Sequence, residues 1–124
     1  MQYIRTGLIL CTENYDECVE FYSIVLELPI LYALDNAHSK LTCCDMGGNN
    51  YLMIETEGSA SAVAKSLEQS PVCLRFNVDD IEKSAAELQG KGVNVKLRKE
   101  VWGMVVDFVD PDGNRCALRD ETTF

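Results

Sequence analysis

Apolar and polar positions change period several times along this chain, and each change marks an element. Residues 3–11, YIRTGLILC, are apolar and β-branched and predict a strand. From 15 to 28 the apolar positions Cys18, Val19, Tyr22, Val25 and Leu26 recur at three and four, the stripe of a helix. Asn14 stands where a cap is expected, and Pro29 ends the run. Residues 30–35 and 39–46 read as strands, Gly47-Gly48-Asn49-Asn50 as a turn, and 51–57 as a further strand. Residues 58–70, GSASAVAKSLEQS, are small and polar: a linker with some helical potential.

The pattern then restarts. VCLRFNV at 72–78 predicts a strand, and Asp79 or Asp80 caps a helix over 81–89 with Ile81, Ala85 and Leu88 on one face. Gly90 or Gly92 closes it. Residues 93–101 alternate as a strand, and strands at 104–109 and 114–119 flank Asp110-Pro111-Asp112-Gly113. A type I turn favours Asp first, Pro second and Gly fourth, as here. The acids around it are oxygen-rich, but a calcium loop of the EF-hand type needs Gly sixth, Glu twelfth and flanking helices. The order strand, helix, strand, strand, strand thus occurs twice, with Gly7 aligned to Cys73 and Glu55 to Ala117. The expected fold is α+β: one domain of two tandem βαβββ modules, 1–57 and 71–124, joined by the linker 58–70. Helices cover one face of each sheet, and the other faces curve around a shared hollow as a cup.

Composition narrows the partners. The chain has 124 residues, 47% of them apolar and 25% charged, with a formal net charge of −9. That balance argues against nucleic acid and anionic membranes and suits a cationic or amphipathic ligand. No apolar run approaches a membrane span or a signal-peptide core, so a cytoplasmic protein is expected. The six cysteines include no Cys-x-x-Cys pair, and His38 is the sole histidine, so neither a zinc site nor a Ser/His/Asp set can be assembled. The cysteines read as reduced, small buried apolar residues.

Four segments carry a family resemblance: Cys18-Val-Glu-Phe-Tyr22, Tyr51-Leu-Met-Ile-Glu55, Asn77-Val-Asp-Asp80 and Asp110-Pro-Asp-Gly-Asn114. In this order they resemble the vicinal oxygen chelate superfamily, that of glyoxalases, bleomycin-resistance proteins and ring-cleaving dioxygenases. The resemblance implies a homodimer. It also implies, in the metalloenzymes, a divalent metal held at four strand positions that fall here on Gly7, Glu55, Cys73 and Ala117. Gly7 and Ala117 have no donor, and a Cys73 thiolate is soft where such metals want imidazole or carboxylate. No metal and no cofactor are therefore expected.

Strand alternation proposes what lines the cup: Tyr51, Met53 and Glu55 on one strand, Arg75 beside Cys73, Asp107, and Arg115 beside Ala117. Trp102 in Trp102-Gly103 resembles the Trp-Gly of bleomycin-resistance proteins, where the ring sits near a ligand groove. The function expected is metal-free small-molecule binding of the bleomycin-resistance kind, with antibiotic resistance the implied role and no catalytic residue. The alternatives are a metal-dependent lyase, isomerase or dioxygenase, and a non-catalytic interaction module whose cup is closed.

Overall fold

The computed structural model describes residues 1–124 and forms two compact units, Met1–Ala60 and Ser61–Phe124. In the first, strand β1 (Thr6–Cys11) leads into helix α1 (Tyr15–Glu20), then strands β2 (Ile30–Asp35), β3 (Lys40–Gly47) and β4 (Asn50–Glu55). The sheet order is β1-β4-β3-β2, with β1 parallel to β4 and the other pairs antiparallel. The second unit repeats this with β5 (Cys73–Val78), α2 (Ile81–Gly90), β6 (Lys96–Glu100), β7 (Gly103–Val109) and β8 (Arg115–Asp120). Its order is β5-β8-β7-β6, with β5 parallel to β8. The duplicated βαβββ pattern of an α+β fold is therefore realised, one four-stranded mixed sheet per unit. No helix is long and apolar enough to cross a membrane.

Each core forms where a helix stripe meets one face of its sheet. In the first unit Cys18, Phe21 and Tyr22 are buried, as are Leu52 and Ile54, which alternate with Tyr51, Met53 and Glu55 along β4. In the second, Ile81 and Leu88 of α2 are buried, as are Val106, Phe108, Cys116 and Leu118.

Local chemistry departs from expectation at several points. The first helix does not run α-helically to Leu28. Beyond Glu20 it widens into a π-helical turn over Phe21–Val25, with Leu26 N donating to Phe21 O at 2.9 Å. Ser23 Oγ donates back to Val19 O at 2.6 Å, a bond that competes with the helix ladder. The widened turn lets the consecutive Phe21 and Tyr22 both face the core, their rings edge-to-face at 5.3 Å. At the other end Asn14 occupies the cap position, but its side chain makes no capping bond; Thr12 Oγ1 instead accepts from Asn14 N at 3.0 Å. Asp80 does cap α2, accepting from Lys83 N at 3.0 Å. No disulfide links the six cysteines, and only four are buried: Cys11 and Cys73, on the outer strands β1 and β5, are exposed.

The Asp110–Gly113 turn is buried rather than solvated. Asp110 accepts from Asp112 N, Asn114 N and Asn114 Nδ2 at 2.8–2.9 Å, fixing the backbone as its sequence predicts. Asp112 has a different task. Its side chain is 1% exposed and meets Lys65 Nζ at 3.1 Å. That lysine comes from the segment expected as a linker, which forms no regular helix. Instead Ser61 N and Lys65 N donate to the carbonyls of Asp112 and Gly113, strapping 61–65 over the turn. Gly113 is required twice, by its φ of +77° and because a Cβ there would stand 2.4 Å from Val63 O.

Candidate functional site

In each unit the sheet face opposite the helix carries the predicted site residues. In the first, cross-strand register places Gly7 beside Tyr51, Met53 beside Ile9 and Cys43, and Cys43 beside Tyr32. Tyr51, Met53, Tyr32, Cys43, Leu31 and Arg5 line a hollow of about 430 Å³. The lining is mostly aromatic and aliphatic, with one guanidinium, the composition of a site for an apolar ring system. Desolvation, and then a hydrogen bond with Cys43, raises the Tyr32 phenol above its ordinary pKa, so it stays a neutral hydrogen-bonding group. Glu55 is half-buried at the end of β4 beside Cys11, and is not part of this lining.

The Tyr51 ring also settles what position 7 can be. It lies across Gly7, and a Cβ built there would stand 2.1 Å from the ring. The first of the four family ligand positions therefore has no donor, and the Tyr51 ring occupies the space beside it. The last fares no better, since Ala117 offers only a methyl, 3% exposed. A divalent metal held in the family's way does not fit these residues.

The second sheet is polar where the first is apolar. Its face carries Cys73, Arg75 and Asn77 from β5, Arg115, Ala117 and Arg119 from β8, Val105, Asp107 and Val109 from β7, and Lys96, Arg98 and Glu100 from β6. A hollow of about 680 Å³ lies among Cys73, Asn94, Arg98, Asp107, Val109 and Arg115. Asp107 does not stand free in it. Arg98 grips both its oxygens, Nε on Oδ2 and Nη2 on Oδ1, and also reaches Glu100. The hydrogen bond with Asp107, more than that with Glu100, holds the guanidinium even more firmly protonated than usual. The Arg115 Nη2 donates to the carbonyls of Ser70 at 2.6 Å and Val72 at 3.4 Å, which orients the side chain from the strap side. Although Cys73 is exposed at the surface, partial desolvation by its neighbours raises its thiol against the pull of Arg115, so it is a neutral thiol rather than a thiolate.

Trp102 and Arg75 meet each other at a different place on this face. The Arg75 guanidinium lies 5.9 Å from the Trp102 ring centre, and Arg119 lies 4.7 Å from it while also covering Phe124 at 5.2 Å. The indole, 44% exposed, is thus stacked with arginine before any ligand arrives. Six of the seven predicted residues fall into three small groups, Tyr51 with Met53, Asp107 with Arg115, and Arg75 with Trp102, and Glu55 stands outside them. Sequence reasoning missed Tyr32, Cys43 and Arg5 in the first hollow and Arg98 in the second. The signal for Arg98 was present in the alternation of Lys96, Arg98 and Glu100. What was absent was the pairing that sets Arg98 two residues along β6 from the partner of Asp107.

The family model described as the Glyoxalase/Bleomycin resistance protein/Dioxygenase superfamily matches residues 4–118. The chain is 35% identical over 115 residues to the uncharacterized protein YraH of Bacillus subtilis (strain 168), covering 85% of this chain and 88% of that one. Its fold is similar to that of TnmS3, an antibiotic binding protein from Streptomyces sp. CB03234, with a TM-score of 0.72 and 20% identity over 97% of this chain and 96% of that one. It is equally similar to a lactoylglutathione lyase from Agrobacterium tumefaciens, with a TM-score of 0.73 and 17% identity over 96% of this chain and 94% of that one. Those two likenesses speak for the fold, and the match across residues 4–118 speaks for the family: the chain belongs to the glyoxalase/bleomycin resistance protein/dioxygenase superfamily.

Proposed function

We propose that this chain is a metal-free small-molecule binding protein, cytoplasmic and homodimeric. The observation that carries the reading is the Tyr51 ring lying across Gly7, which takes the space a metal-ligating side chain would need. The same ring then becomes part of an apolar hollow with Met53 and Tyr32, suited to hold a ring system by stacking and burial. Fold alone does not choose, since neighbours of equal similarity include an antibiotic binding protein and a lyase. The residues at the four ligand positions favour the former kind. Six free cysteines suit a reducing compartment. Strand β2 supports a second copy: Ile30, Leu31, Tyr32 and Leu34 leave about half their surface exposed along an edge whose one charge, Asp35, stands at its end.

Protein purified without chelator is expected to contain no stoichiometric nickel, zinc, iron or manganese, and to gain thermal stability with a subset of planar aromatic and drug-like compounds. A bound stoichiometric metal, or a screen with no response, counts against the reading. Light scattering after gel filtration is expected to give twice the chain mass of 13.9 kDa.

A further inference from the structure

The open face of the second sheet carries charge of the opposite sign to the chain. Register sets Arg75, Ala117, Asp107 and Lys96 side by side across its four strands. Arg115 and Arg119 stand two residues either way from Ala117 along β8, and Arg119 continues the next row to Val105 and Arg98. Asp107 and Glu100 are the only carboxylates in these rows, and Arg98 takes both. Arg75, Arg115, Arg119 and Lys96 have no carboxylate partner. Arg115 and Arg119 bond only backbone carbonyls, and their Nε donors are buried without an acceptor. Arg75 makes no hydrogen bond and rests against Trp102. Along the strands, Ala117 stands between Arg115 and Arg119 and opposite Arg75. A carboxylate there would neutralise them, and a methyl leaves their charge available.

We infer that this face binds a small anion, a carboxylate or phosphate group, at the guanidinium groups of Arg75, Arg115 and Arg119. The inference rests on the ligand-binding reading above and assigns the charge of what this second face takes. It reverses the cationic expectation drawn from net charge, because a small ligand responds to the groups within a few ångströms of it and not to the sum over the chain. A guanidinium fork matches the two oxygens of a carboxylate or phosphate. A long polyanion would instead meet the chain's net charge of −9, which selects a small anion over nucleic acid.

Trp102 is the only tryptophan and lies against Arg75 and Arg119, so its fluorescence reports on this face. The experiment titrates the full chain with benzoate, inorganic phosphate and benzyltrimethylammonium, following Trp102 emission and heat of binding. Benzoate or phosphate is expected to bind saturably and more weakly as salt rises, while the cation does not bind. Preference for either anion assigns the headgroup and supports the inference. Arg115→Gln is expected to weaken anion binding about tenfold, the scale of one lost charge-assisted hydrogen bond. Arg75→Gln is expected to do the same and removes no hydrogen bond from the fold, so it serves if the first variant does not fold. Binding of the cation as tight as that of the anions, or anion binding unchanged in Arg75→Gln, overturns the inference and leaves the ligand-binding reading standing. No response to any of the three by either method likewise overturns the inference, and the ligand-binding reading is then judged by its own screen of planar aromatic compounds.

Discussion

Gly7 and Tyr51 are one structural decision made at two positions. Directly paired on β1 and β4, they work only because glycine leaves its side of the sheet empty for the ring. Gly7→Ala is expected to cost about 1–3 kcal/mol in urea unfolding, the usual scale of overpacking. In a Tyr51→Ala background the same change is expected to cost little, so the double-mutant cycle would show strong coupling. Additive effects would mean that the ring does not constrain position 7. Asp112 and Lys65 are a second such pair. The acid is almost fully enclosed and the ammonium 17% exposed, so Lys65→Met leaves a buried carboxylate with its charge unmatched. The expected loss is about 3 kcal/mol, with protease cleavage near residues 61–66 as the accompanying sign of a released strap. The turn itself was legible in Asp-Pro-Asp-Gly, because turn chemistry is local. The role of Asp112 was not, because its partner is 47 residues away.

At the scale of elements, helices and strands follow the periodicity closely. Strand β4 alternates buried Leu52 and Ile54 with half-buried Tyr51, Met53 and Glu55, and the sequence pattern already assigns those faces. The helix ends were harder to read. Asp80 and Asn14 look equivalent as caps, yet only Asp80 caps its helix through its side chain. Asp80→Ala is expected to cost about 1 kcal/mol in thermal or urea unfolding, the usual value of one cap. The π-helical turn at Phe21–Val25 escaped the apolar stripe because positions three and four apart fit an α-helix equally well. Its sign in the sequence is the adjacency of two large aromatic residues that both had to reach one core.

For the molecule as a whole, charge and burial act in different places. Burial is the first cause that raises the Cys44 thiol, followed by the neighbouring Cys43, and burial likewise raises Cys73. In the unfolded chain these thiols ionise at their ordinary pKa, near 8.5. Between that value and the higher folded one, the unfolded state binds fewer protons than the folded state, so stability falls as pH rises. Urea unfolding is expected to show stability level through neutral pH and declining above about 8.5. Cys44→Ala is expected to flatten part of that decline; a slope unchanged by the substitution would assign it elsewhere.

The sequence by itself determined the duplicated βαβββ order, the faces of the strands, the buried stripe of each helix and the loss of two metal donors. The first three follow from the spacing of residues along the chain, enforced by local sterics and the period of each element, and the last from the positions that the family resemblance singles out. Only tertiary structure decided that Tyr51 fills the space over Gly7, that Lys65 locks the turn through Asp112, and that Arg98 consumes Asp107 and Glu100. That last pairing leaves Arg75, Arg115 and Arg119 to give one face of an acidic chain its basic character. Such facts depend on which residues stand opposite one another across strands. That register is set by the packing of the whole sheet and not by any stretch of the chain alone.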